Sequence, residues 1–229
     1  MPCSSVDMPI SSRLLHLVFT LVQFLPQYYG AYDVQITDLK VPPKVQNGSS
    51  HVILDCEYTV RSVGDQSGLV VKWFFQNSAT PVYQWIYGQK PQDLGVLRGR
   101  LLLDYNASNQ STTRHRALYI VNPTTELSGE YKCSVSTFTD EDFMIKTMTV
   151  YSLEKSWKMF HVKTEAASLI NITCLAQGIY PEPQMILAKG VDEKSLQTMP
   201  GLSVQNSLRD GAYDVSASAM LHESDLNIS

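Results

Sequence analysis

Through the middle of the chain, apolar and polar residues alternate in short runs. Val52, Leu54, Cys56 and Tyr58 fall on one side of a period-two pattern, and Ile53, Asp55 and Glu57 fall on the other. Val71, Trp73 and Phe75 form a second inward set, Leu118 and Ile120 a third, and Tyr131, Cys133 and Val135 a fourth. Polar pieces separate them: Gly64-Asp65-Gln66-Ser67-Gly68, Gln76-Asn77-Ser78 and Ser128-Gly129. Many short strands divided by turns, with no helical period, predict an all-β sandwich over 32–151. A further alternating strand at Leu169–Cys174 and another at Gly211–Leu221 predict a second β domain over 152–229.

Residues 14–25 break this pattern. They form a mostly apolar run behind Arg13, ended by Pro26. The run is too short for a hydrocarbon layer of roughly 30 Å and fits the apolar part of a secretory leader. A leader over 1–30 is predicted, with Gly30 and Ala31 as small residues for cleavage; the competing reading is a buried amphipathic helix. No later run is apolar enough to span a membrane. Export places the product outside the cell, secreted or at the cell surface. There cysteines oxidise and Asn-x-Ser/Thr triplets accept glycans. Asn47, Asn106, Asn109, Asn171 and Asn227 head such triplets, whereas Asn122 is followed by Pro123. Cys3 lies in the leader, which leaves Cys56, Cys133 and Cys174.

With 44% hydrophobic and 17% charged residues the chain can build a core, so disorder is not the default. A net charge of −4 argues against a nucleic-acid binder, which would carry a basic field. The histidines are scattered, and no zinc-protease, nucleophile-elbow, phosphate-loop or dinucleotide motif occurs. The acids Asp140-Glu141-Asp142 read as a solvated loop tip rather than a cation site. No enzyme, no metal site and no cofactor are predicted.

Cys56, Trp73 and Cys133, with Tyr131 two residues before the second cysteine inside Leu127-Ser-Gly-Glu-Tyr-Lys-Cys133, resemble the immunoglobulin fold. The resemblance implies a Cys56–Cys133 disulfide joining two sheets, Trp73 packed on it, and a Tyr131 hydroxyl capping a backbone turn. Such a loop closure is worth roughly 4 kcal/mol on the chain-entropy model. The long interval between the two cysteines suits the variable type, which needs room for strands C′ and C″. Arg100 matches that type's strand-D arginine, but Leu127 occupies the place of its aspartate partner, with Glu126 or Glu130 as candidate substitutes.

In the second domain, Cys174-Leu-Ala-Gln-Gly-Ile-Tyr-Pro-Glu-Pro183 resembles the constant-type domain of butyrophilin-like and nectin-like surface proteins, and Gly211–Leu221 resembles its strand E. Leu187 stands where that pattern has Trp. The pattern puts a second cysteine at about position 231, past Ser229, so Cys174 is expected to be unpaired and the domain incomplete. Two readings follow: a fragment, incomplete gene model or truncated isoform, or a natural secreted form with a free or intermolecular thiol.

Asp33-Val-Gln-Ile, Val41-Pro-Pro-Lys-Val, Leu69-Val-Val-Lys-Trp-Phe-Phe, Val82-Tyr-Gln-Trp and Leu127–Ser136 are similar to the insect beaten-path family over about 32–150. That resemblance implies a neuronal surface or secreted protein that pairs with an immunoglobulin-superfamily receptor. The strand pattern then places Phe74, Tyr83, Trp85, Tyr87, Phe143 and Ile145 outward on the sheet of strands G, F, C and C′, with Lys72, Lys132 and Ser134 beside them. An exposed aromatic patch of this kind is suited to a protein partner. The expected function is recognition or adhesion in neuronal guidance; the alternative is an immune-type ligand or secreted decoy of the same fold.

Overall fold

The computed structural model describes residues 33–61, 68–164, 168–190 and 194–225; the leader and Asn227 lie outside them. The architecture is all-β and immunoglobulin-like. Strands β1 (Val34–Lys40), β3 (His51–Val60) and β7 (Leu118–Val121) form one sheet in the order β1-β3-β7. Strands β2 (Lys44–Gln46), β4 (Val70–Phe75), β5 (Tyr83–Ile86), β6 (Gln92–Asp93), β8 (Gly129–Ser136) and β9 (Glu141–Tyr151) form a second, ordered β2-β9-β8-β4-β5-β6. The alternating runs bury the sides expected of them, from Val52, Leu54, Cys56 and Tyr58 to Met148 and Val150. The chain passes from one sheet to the other between β1 and β2, and β2 then lies parallel to β9.

The Cys56–Cys133 disulfide joins the sheets across a sequence separation of 77. Trp73 is fully buried in the same cluster. The Tyr131 hydroxyl donates to the Leu127 carbonyl at 2.8 Å, closing the turn before β8. Arg100 pairs with Glu126 at 2.6 Å, so the acid beside the buried Leu127 takes the aspartate's part. Strand D is short: Leu101 makes an isolated bridge to Ile120, extended by Leu102 N–H to the Tyr119 carbonyl.

Two exposed carboxylates are held below the ordinary glutamate range. A hydrogen bond from Lys40 lowers Glu57, and one from Arg100 lowers Glu126. A depressed folded-state value gives stability that is present above the unfolded value and lost as pH falls through the folded one. Thermal unfolding is therefore expected to be flat above the ordinary glutamate value of 4.5 and to fall below it. The acid slope should be shallower in Glu126→Gln. An unchanged slope in that variant would remove the Arg100 pair from the account. Both carboxylates face water, so the change per pair is small.

The remaining strands are β10 (Ser156–Lys163), β11 (Leu169–Ile179), β12 (Ala188–Lys189), β13 (Gln197–Thr198), β14 (Ser203–Arg209) and β15 (Ala212–His222). They form a sheet β10-β11-β15-β14 and a two-stranded pair β12-β13. A separate core collects Ile170, Ile172, Cys174, Ala217, Ala219 and Leu221 under Leu187 and Met199. Leu187, standing where the constant-type pattern has Trp, is thus a core residue. Cys174 is a free, buried thiol, and burial pushes its pKa up. The Tyr180–Pro181 bond is cis. Ser152 and Tyr180 exchange backbone hydrogen bonds at 2.9 and 3.0 Å, and the Thr125 hydroxyl donates to the Gly211 carbonyl at 2.7 Å.

Candidate recognition face

The six predicted face residues do not share one face. Register pairs Val71 with Trp85 and Trp73 with Tyr83. Directly opposed residues of an antiparallel pair share a side, so Tyr83 and Trp85 point inward with Trp73. Both are buried, and Tyr87, just past the strand, is half-buried against the same core. The expectation that these three face outward is off by one residue on β5, and a one-residue slip inverts every side chain. The outward positions of β5 belong to Gln84 and Ile86, opposite Lys72 and Val70.

The inward register has a polar reason. The Tyr83 hydroxyl donates to the His115 carbonyl at 2.7 Å, and Trp85 Nε1 donates to the Gln89 carbonyl at 3.2 Å. Two further core aromatics reach the same loop: the Tyr58 hydroxyl donates to the Thr112 carbonyl at 2.6 Å, and Trp73 Nε1 to the Arg116 carbonyl at 3.1 Å. Segment 112–116 is thus pinned along one edge of the core by three side chains. Buried phenol and indole donors need such acceptors. Burial pushes the Tyr58 and Tyr83 phenols well up. Arg116 completes the clamp with a bidentate pair to Asp55 at 2.8 and 2.9 Å, and a contact to Glu57 at 3.2 Å. No sequence period marks this loop, which is why its covering action was not legible.

Phe74, Phe143 and Ile145 do face outward. Phe143 is 53% exposed and Ile145 45%, while Phe74 is half-buried. Phe74 lies opposite Lys132, and Lys132 opposite Ile145, in one row across β4, β8 and β9; Lys72, Ser134 and Phe143 make the next row. Lys132 bridges the rows: its Nζ lies 4.4 Å from the Phe143 ring centre and 5.3 Å from that of Phe74. Both distances are within cation–π range. Sequence reasoning put Lys132 on this face but missed that it is the centre of an aromatic sandwich. Ser134, also expected to face outward, does so but is buried: its hydroxyl donates to the Glu141 carboxylate at 2.6 Å. Beyond the strands, Phe138 in the β8–β9 turn is exposed and lies against Gly68.

The acids read as a solvated tip are tied down. Asp140 accepts from the N–H groups of Asp33 and Val34 at 2.9 and 3.2 Å, and Asp142 from that of Ile36 at 2.7 Å. They anchor the start of β1 to the β8–β9 turn. Among the described residues no three His, Cys, Asp or Glu side chains could hold a metal ion, and no helix is long and apolar enough to cross a membrane. Of the sequons, Asn106 and Asn109 are exposed on the loop before β7. Asn47 sits half-buried in the β2–β3 turn, and Asn171 lies on β11.

No protein-family model matches this chain, and no curated protein matches it. Among solved structures, it is similar to bovine butyrophilin, with a TM-score of 0.62 and 20% identity over 86% of this chain and 88% of that one. At that identity the likeness concerns the fold.

Proposed function

We propose that the protein is an extracellular recognition module that binds another cell-surface protein, itself of the immunoglobulin superfamily, through the outward face of the six-stranded sheet. On this reading a leader over 1–30 precedes two immunoglobulin-like domains, 32–151 and 152–229. The chain is not an enzyme. The observation that carries the reading is the apolar group Phe74, Phe143 and Ile145 built around Lys132. Exposed aromatic and apolar clusters of this kind mark protein interfaces, and a few such residues dominate binding energy. The similarity of 32–150 to the beaten-path family adds a neuronal setting, in adhesion or guidance.

The chemistry of the face describes the partner surface. Lys132 and Lys72 have no carboxylate within ion-pair distance among the described residues. A partner offering an apolar surface with a carboxylate at its centre would bury the two phenylalanines and pair Lys132 in one step. Charge complementarity of this sort fixes register and association rate. Sequons Asn106 and Asn109 lie outside the six-stranded sheet, on the loop before β7.

The test is a binding screen of the multimerised chain against immunoglobulin-superfamily ectodomains, followed by substitution. Phe143→Ser and Lys132→Glu are expected to weaken any binding found by about tenfold or more each, roughly 1.4 kcal/mol. Leu208→Ser, on the exposed strand β14 of the sheet β10-β11-β15-β14, should leave it unchanged. Binding that survives both face substitutions would place the interface elsewhere.

A further inference from the structure

The sheet β10-β11-β15-β14 carries an exposed apolar cluster with a sequon at its centre. Register sets Asn171 between Val162 of β10 and Met220 of β15, and sets Thr173 between Phe160 and Ser218. These residues share one face. It is the outward one, because Ile170, Ile172 and Cys174, which alternate with them, are buried in the core. Val162 is 56% exposed, Met220 50% and Phe160 44%. Natural surfaces seldom leave such side chains contiguous and uncovered, and Asn171-Ile172-Thr173 is a glycan acceptor triplet.

We infer that Asn171 carries an N-linked glycan whose first sugars lie over Val162, Phe160 and Met220. Pyranose rings have apolar C–H faces, and seating them on this cluster removes apolar area from water on both sides. The outer sugars remain hydrated and keep the sheet soluble. In the coupling step the Asn171 Nδ2 bonds to the anomeric carbon of an oligosaccharide carried on a lipid diphosphate. The anomeric C–O bond breaks, the lipid diphosphate leaves with that electron pair, and the amide nitrogen gives up one proton to a basic group of the transferase. No atom changes oxidation state beyond this exchange of leaving group. The donor and its transferase belong to the secretory route, so the inference rests on the extracellular reading.

Peptide mass mapping of the full chain secreted from eukaryotic cells tests it. The expected result is a modified Asn171 peptide. Asn171→Gln should lose one glycan mass and bind a hydrophobic-surface dye severalfold more strongly than the wild type. Adding Phe160→Ser and Met220→Ser to that variant should return dye binding to the wild-type level. A bare Asn171 beside modified Asn106 or Asn109 overturns this inference and leaves the extracellular reading intact. A secreted chain with no glycan at any sequon overturns the inference too. A chain never exported overturns both. A modified Asn171 with unchanged dye binding in Asn171→Gln overturns the seating of the sugars on the cluster.

Discussion

Replacing both Cys56 and Cys133 by alanine is expected to cost about 4 kcal/mol of stability, with the loss visible as a lower denaturation midpoint and a steeper slope, because the unfolded chain without the cross-link exposes more surface. The bond closes a loop with a sequence separation of 77. On the chain-entropy model that closure removes about 4 kcal/mol of freedom from the unfolded chain. The replacement also takes two sulfurs out of the buried cluster around Trp73, Leu54 and Val135. The whole stability of a domain is about 5–15 kcal/mol, so the variant stands close to unfolding at body temperature. Urea titration followed by tryptophan fluorescence measures it. A loss below about 1 kcal/mol would mean that the unfolded chain is already compact enough to make the cross-link redundant.

Trp73→Ala should be comparably damaging, at about 3–5 kcal/mol, because a fully buried indole leaves a cavity that the surrounding sheets cannot collapse to fill. A second term comes from the indole N–H, which holds the Arg116 carbonyl at 3.1 Å. Trp73→Phe separates the two. It keeps most of the packing and removes the donor, so it should cost about 1–2 kcal/mol. It should also raise backbone exchange in segment 112–116, which Tyr58, Tyr83 and the Arg116–Asp55 pair would then hold. If hydrogen exchange there is the same in Trp73→Phe as in the wild type, the indole contributes packing only.

The pattern of the long strands was legible because one side of each is dry and the other wet. Val52 to Tyr58 and Val71 to Phe75 alternate in burial and bury the expected side, and Tyr131 to Val135 does so except at Ser134, which its bond to Glu141 buries. The disulfide, Trp73 and Tyr131 are what the resemblance of their residues to the immunoglobulin fold implies. β5 failed for a physical reason. Its alternate residues are Tyr83 and Trp85 against Gln84 and Ile86, so both sides are plausible interiors, and the choice is made by carbonyl acceptors on segments with no period of their own. The candidate face was therefore half legible: Phe74, Phe143 and Ile145 belong to it, Tyr83 and Trp85 to the core. The Lys132 sandwich could have been anticipated from its place between two aromatic neighbours across strands. The ties of Asp140 and Asp142 to the start of β1 could not, because they join residues over a hundred positions apart.

The parallel pairing of β2 with β9 bears on mechanics. Lys44, Val45 and Gln46 lie beside Thr149, Val150 and Tyr151, and the Asn47 N–H donates to the Tyr151 carbonyl at 2.7 Å. A tensile load that enters at Asp33 and leaves past Tyr151 pulls these two strands in opposite directions along their length. Every hydrogen bond between them is then sheared together rather than unzipped one at a time. Resistance to such a load is set by the rate of crossing that single barrier, not by the equilibrium stability of the fold. Under such a load this short parallel seam acts as a clasp that resists as one unit.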